Sequence, residues 1–136
     1  MIAILIFAQK DLGQGLLHSI EHVLGAVPPG VEAFAVDYNR SPEHTEHALR
    51  EHVARLDSGD GVLILADIYG ASHSNAACRV LQPGHAELVC GVNLPMLIRV
   101  LNYRDRDLAT VTAKALSGGA EGIVAASGAR NAGGKA

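Results

Sequence analysis

Three features of the chain predict a doubly wound α/β fold, with helices flanking one mostly parallel sheet. Ile2-Ala3-Ile4-Leu5-Ile6-Phe7 and Gly61-Val62-Leu63-Ile64-Leu65-Ala66 are unbroken apolar runs, the pattern of strands buried on both faces. Segments of helical periodicity separate these runs from two weaker strand-like stretches. Helix start and stop residues recur between them at the spacing that βαβ crossovers need.

The first strand begins within two residues of Met1. Asp11 is then placed to cap a helix, with Gln14 as a capping-box partner three positions on. Leu16, Leu17, Ile20, Val23 and Leu24 fall on one face of that helix, and Gly25 ends it. Pro28-Pro29-Gly30 makes a turn into a second, partly alternating strand, Val31 to Val36. Ser41-Pro42-Glu43 starts the next helix with an N-cap and a proline in the first turn. Its expected buried stripe is Ala48, Leu49, Val53 and Leu56, and Ser58-Gly59 closes it.

The third strand ends at Asp67, and Ser72 is placed to cap a helix reaching about Leu81. Glu87 to Val92 predicts a fourth strand, and Asn93-Leu94-Pro95 opens a helix through Tyr103. Asp107 starts a last helix that Gly118-Gly119 should stop. Gly122-Ile123-Val124 predicts a short C-terminal strand. The expected domain covers 1–126, with 127–136 a small, Gly-rich and frayed tail.

Composition narrows the function classes. Of 136 residues, 49% are hydrophobic and 18% charged, which suits one globular domain. The net charge of −3 comes without any run of Lys or Arg, so a nucleic-acid partner is not expected. No apolar stretch approaches the ~20 residues of a membrane span, and the apolar start lacks a signal peptide's basic leader. The cytoplasm is the expected location, without direct membrane insertion. Cys78 and Cys90 lack metal-ligand spacing and are read as reduced core residues.

In a doubly wound sheet the ligand crevice lies beyond the carboxyl ends of the strands. Ala8-Gln9-Lys10-Asp11, Asp67 to Ser72, and Gly91 to Pro95 should meet there. The most informative of these is Asp67-Ile68-Tyr69-Gly70-Ala71-Ser72-His73-Ser74-Asn75. A carboxylate ends a buried strand, a small-residue turn follows, and a hydroxyl residue meets a helix N-terminus, whose N–H groups favour anions. Asp67 beside such a site either orients an imidazole, holds a metal, or simply caps the turn.

Asp67-Ile68-Tyr69-Gly70-Ala71-Ser72 with Ser74-Asn75-Ala76-Ala77, then Gly91-Val92-Asn93-Leu94-Pro95-Met96, resembles the EIIA domain of the mannose/fructose class. That family serves the phosphoenolpyruvate-dependent sugar phosphotransferase system (PTS), and the similarity extends from Ile2 to about Val124. The resemblance implies a phosphotransferase in which a histidine after the first strand takes a phosphoryl group from the phosphocarrier HPr. The group then passes to an EIIB partner. It implies that Asp67 orients the acceptor, that Ala71, Ser72 and His73 surround the phosphate, and that the protein is a homodimer. It implies no cofactor and no metal.

The sequence departs from the family at the acceptor itself. The family pattern is Thr/Ala-His-Gly/x, and this chain has Ala8-Gln9-Lys10. A neutral imidazole nitrogen is a nucleophile, whereas the amide nitrogen of Gln9 has its lone pair delocalised and only donates hydrogen bonds. Gln9 can fill a similar volume and bond Asp67, but it cannot carry phosphate. Gln9 thus marks a degenerate regulatory copy, an introduced substitution that holds the unphosphorylated state, or an acceptor that has moved. His73, where the family often has proline, is the candidate for a moved acceptor and otherwise an exposed first-turn residue.

The other histidines read as surface. His18 and His22 share a spacing that could grip a metal but lie opposite the apolar face, and His44, His47 and His52 sit among glutamates. His85 follows Pro83-Gly84 in a loop. Arg99, Arg104 and Arg106 are either a docking patch for an acidic partner or a solvated surface. A receiver-like domain would need an acidic pair after the first strand and a late lysine, and a dinucleotide site would need G-x-G-x-x-G there. Neither pattern is present. The principal alternative is a non-catalytic binding module of the same fold.

Overall fold

The computed structural model describes residues 1–69 and 72–128. The elements are β1 (Ala3–Gln9), α1 (Leu12–Leu24), β2 (Val31–Val36), α2 (Pro42–Leu56), β3 (Val62–Ala66), α3 (Ser72–Cys78), β4 (Ala86–Cys90), α4 (Leu94–Leu101) and α5 (Leu108–Glu121). The four strands form one parallel sheet in the order β2-β1-β3-β4, with β1 and β3 paired centrally in the register Ala3↔Val62 to Phe7↔Ala66.

The unbroken apolar runs are explained by a core on each face of the sheet. Ile2, Ile4, Ile6 and Ala8 join Leu63 and Leu65 under α1, α4 and α5. The alternate residues Ala3, Leu5 and Phe7 join Val62, Ile64 and Ala66 under α2 and α3. Leu5, Ile4, Ile6, Leu63, Ile64 and Leu65 are all fully buried. Each such side chain contributes about 1.5–3 kcal/mol relative to exposure. The edge strands β2 and β4 carry half-buried residues, which accounts for their weaker patterning.

Several helix ends match the sequence reading. Ser41 Oγ accepts the N–H of His44, Asn93 Oδ1 that of Met96, and Asp107 Oδ1 that of Thr110. Gly25 closes α1 at φ +90°, donating its N–H to Glu21 O. Asp11, in contrast, makes no side-chain cap: its backbone is at φ −92°, ψ 2°, not the extended conformation a capping side chain needs. On α1 only Leu17 and Ile20 of the expected stripe are buried, and Val23 and Leu24 are half-exposed. The helix from Ser72 ends at Cys78, three residues early, and tightens into i→i−3 turns through Leu81.

The expected C-terminal strand is corrected. Gly118 and Gly119 do not stop α5, which continues to Glu121. They are the surface on which α4 lies: a Cβ at Gly118 would come 2.5 Å from Arg99 Cβ, and one at Gly122 would come 2.2 Å from Pro95 Cβ. Residues 122–124 therefore leave a helix rather than enter a strand, and Ile123 and Val124 are 76% and 64% exposed. Most of the expected tail, 129–136, lies outside the described residues. Gly122 has φ −77°, a conformation any residue adopts, so its requirement is purely steric. Gly122→Ala is expected to cost about 1–3 kcal/mol by forcing α4 and α5 apart, read as a lower urea midpoint with unchanged slope.

Arg104 is a second correction. It is only 7% exposed. Its Nε donates to Ile2 O and its Nη2 to Pro29 O, both at 2.8 Å, while its own carbonyl accepts the N–H of Ile2. It is a tether between the α4–α5 connection and the start of β1, not part of a docking patch. Arg99 is engaged with Glu121 at 3.0 Å.

Candidate functional site

The topology fixes where a site can form. From β1 the chain leaves through α1 on one face of the sheet, and from β3 it leaves through α3 on the other. The carboxyl ends of these adjacent parallel strands therefore diverge, leaving the crevice in which doubly wound folds bind ligands. Gln9 ends β1 and Asp67 follows β3, so both stand at this point.

Their contact is direct. The main-chain N–H of Gln9 donates to Asp67 Oδ2 at 3.1 Å, and that of Ile68 donates to Oδ1 at 2.9 Å. The half-buried carboxylate thus clamps the exits of both strands. The sequence suggested that the Gln9 side chain would bond Asp67, but the observed bond comes from the backbone. The difference matters, because a main-chain bond forms whatever side chain residue 9 carries. The Gln9 side chain is exposed at the crevice.

Lys10, next in the chain, has φ +46°. A side chain in this left-handed region is strained by about 1–2 kcal/mol, which glycine would avoid. The sequence carries no sign of this conformation, because the family pattern admits residues other than glycine at this position. The third exit closes the site from the side: the N–H groups of Gly91 and Val92 both donate to Ala66 O.

Ser72 is the first residue of α3 rather than a cap before it, and Ala71, expected beside the phosphate, lies outside the described residues. His73 differs from the exposed residue that the sequence suggested. It is 6% exposed, with Nε2 3.2 Å from Arg40 O and its ring edge-on to Tyr38 at 4.8 Å. A carbonyl can only accept, so Nε2 carries the proton. The other nitrogen, Nδ1, is left facing Ser72 Oγ at 3.5 Å. His73 therefore ties α3 to the loop between β2 and α2. Nothing in the local sequence signals this contact, because Arg40 lies 33 residues away.

Cys90 ends β4 close enough to Asp67 to feel its charge. Burial first, then Cys78 and Asp67, push its thiol above the ordinary range, so it is a poor nucleophile at neutral pH. Both cysteines are half-buried and unbridged. Among the described residues no group of three His, Cys, Asp or Glu side chains could hold a metal ion. His18 and His22 are exposed on α1.

The site therefore holds the main chain of residue 9 against a carboxylate, with its side chain at an open crevice. Known proteins share this arrangement of elements. The EIIA component from Streptococcus agalactiae superposes with a TM-score of 0.81 at 24% identity, covering 93% of this chain and 98% of that one. The IIA protein associated with the fucose utilization operon of Streptococcus pneumoniae does so with a TM-score of 0.73 at 23% identity, covering 93% and 97%. At these identities the likeness shows the fold. The mannose-specific EIIAB component of Escherichia coli K12 is 43% identical over 76 residues, 54% of this chain. The chain spans about a quarter of the length of that relative, 24% of which is matched. Residues 3–116 match the family described as EIIA-man, the PTS system fructose IIA component. This match over most of the chain, on a parallel sheet of that strand order, places the protein in the mannose-class EIIA family of the sugar phosphotransferase system.

Proposed function

We propose that the chain takes the EIIA place in this system, meeting HPr and an EIIB partner, without itself carrying a phosphoryl group. The family role is relay of phosphate from phospho-HPr to EIIB during sugar uptake or its regulation. One observation carries the reading: the residue held against Asp67 at the switch point is Gln9, whose amide offers no nucleophilic nitrogen. The exits of β1 and β3 remain clamped together by Asp67, which supports a regulatory binding role over simple loss of function. In this reading Asp67 is the positioning carboxylate, and Ala71, Ser72 and His73 border the phosphate.

A relocated acceptor at His73 is disfavoured by its burial and by the bond from Nε2 to Arg40 O. The test incubates the unaltered chain with phosphoenolpyruvate, the general phosphotransferase enzyme and HPr, then maps label by mass spectrometry. The expected result is no label, together with a measurable HPr binding isotherm. Label at His73 would overturn the reading, and absence of any HPr or EIIB binding would remove the regulatory role.

We also place the domain at 1–126 and expect a homodimer working in the cytoplasm. Support for the dimer comes from β4, an edge strand, and from Ile123 and Val124, which are left exposed beyond α5. No helix among the described residues is long and apolar enough to cross a membrane. Light scattering at micromolar concentration should give twice the chain mass, and a concentration-independent monomer would remove the dimer.

A further inference from the structure

At the opposite end of the sheet, where the helices return to the strand N-termini, lies a second concavity. Met1, Leu24, Pro28, Pro29, Ile98 and Leu101 give it apolar walls, Arg104 also lines it, and it encloses about 440 Å³. That volume is within the range of small-molecule sites. Leu24 and Met1, at its mouth, are 51% and 67% exposed.

The charge balance around Arg104 gives this hollow a chemistry. A guanidinium stays protonated in proteins, and this one is nine-tenths buried. Its hydrogen bonds go to two neutral carbonyls, Ile2 O and Pro29 O. Among the described residues no carboxylate lies within ion-pair distance of it. The acidic groups on its other side, in an adjoining polar hollow, are Asp60, Asp105 and Asp107. Each has its own partner: Asp60 holds the chain's N-terminal ammonium, Asp105 faces Arg106 at 3.9 Å, and Asp107 caps α5 through Thr110. A buried cation without a counter-ion is costly, and a bound anion would offset that cost. Burial accordingly lowers the guanidinium pKa.

We propose that this groove between α1, the Pro28-Pro29 turn and α4 binds a small amphiphilic monocarboxylate, its apolar tail on Leu24, Ile98 and Leu101 and its carboxylate toward Arg104. The walls select the tail. The Met1 ammonium is already held by Asp60, so Arg104 is the one wall cation without a carboxylate partner and selects a single negative charge. The site is separate from the Gln9–Asp67 crevice and does not depend on whether phosphate is carried.

Octanoate is the probe, with 1-octanol as its uncharged counterpart, followed by amide chemical shifts of the ¹⁵N-labelled chain at pH 7. Octanoate should saturably shift Leu24, Ile98, Leu101 and Asn102, and octanol should bind at least about fivefold more weakly. Arg104 itself supports the fold, so the charge is tested at the exposed mouth. Leu24→Glu and Leu24→Lys remove the same apolar surface, and the Glu variant should bind octanoate at least about fivefold more weakly than the Lys variant. Equal affinity for octanol, or equal affinity of the two variants, would overturn the proposal. So would an absence of shifts at millimolar octanoate, or shifts of these amides that follow protein concentration instead, which would make the groove an interface between copies.

Discussion

Gln9→His should convert a chain that takes no label from phospho-HPr into one that is phosphorylated on residue 9, with the acid lability and base stability of a phosphoramidate. The expected change is from no detectable transfer to full labelling. The main-chain nitrogen of Gln9, not its side chain, holds the site together. Asp67 Oδ2 accepts the main-chain N–H of residue 9, so the clamp survives the change of side chain. The residue ends β1 with its side chain exposed at the crevice, and an imidazole there meets no core atoms. It restores a nitrogen lone pair at the switch point and requires no rearrangement of the strands.

In that background Asp67→Ala should slow transfer by on the order of 10²-fold, the scale for a mispositioned catalytic group. The loss has two sources: the carboxylate charge and the two N–H bonds that fix the exits of β1 and β3. Asp67→Asn removes the charge and one of the two acceptor oxygens but can still accept the main-chain bond from residue 9. Transfer by the Asn variant close to that of Asp67 would assign Asp67 a purely geometric role. No label on a folded Gln9→His protein would mean that the crevice has lost the family's chemistry beyond one residue.

The parts of this molecule legible in its sequence are those set by nearest neighbours. The two-sided burial of Ile2 to Ala8 and of Val62 to Ala66 is written as continuous apolar runs, and the caps Ser41, Asn93 and Asp107 each act within three residues. Gln9 and Asp67 were also predictable as a pair, because both end strands that the pattern made central. What could not be read depends on partners distant in the chain. Asn93 illustrates both sides: its Oδ1 caps α4 locally, while its Nδ2 donates to Gly119 O across the helix pair. The glycines of α5 looked like a stop signal, because nothing local distinguishes a stop from a close helix contact. His73 was read as exposed because its partner lies on the loop after β2. Ile123 and Val124 have strand-like composition, but they follow directly on α5, which ends at Glu121, and find no strand to pair with among the described residues.

Arg104 and Arg99 look equivalent in sequence and should differ several-fold in their effect on stability. Arg104→Met keeps an unbranched apolar stem but removes both guanidinium donors, leaving Ile2 O and Pro29 O without them. Hydrogen bonds to a charged donor contribute about 1.5–3 kcal/mol, and a buried acceptor left unsatisfied costs about 1–3 kcal/mol. Because the two carbonyls share one donor group, the terms overlap, and a loss on the order of 3–4 kcal/mol is expected. Arg99→Met removes an ion pair to Glu121 whose partners are 34% and 65% exposed, while its stem still covers Gly118. Pairs of that kind contribute about 0–1 kcal/mol. Urea unfolding of the two variants in parallel should therefore show a large fall in midpoint for Arg104→Met and a small one for Arg99→Met, at equal slope. Arg104→Lys should recover part of the loss, since an ammonium can reach one carbonyl but cannot span both in the fixed geometry of a guanidinium. Equal losses at the two arginines would mean that Arg104 does not hold β1 to the α4–α5 connection, and the tether would have to be assigned to the Ile2–Arg104 main-chain bond alone.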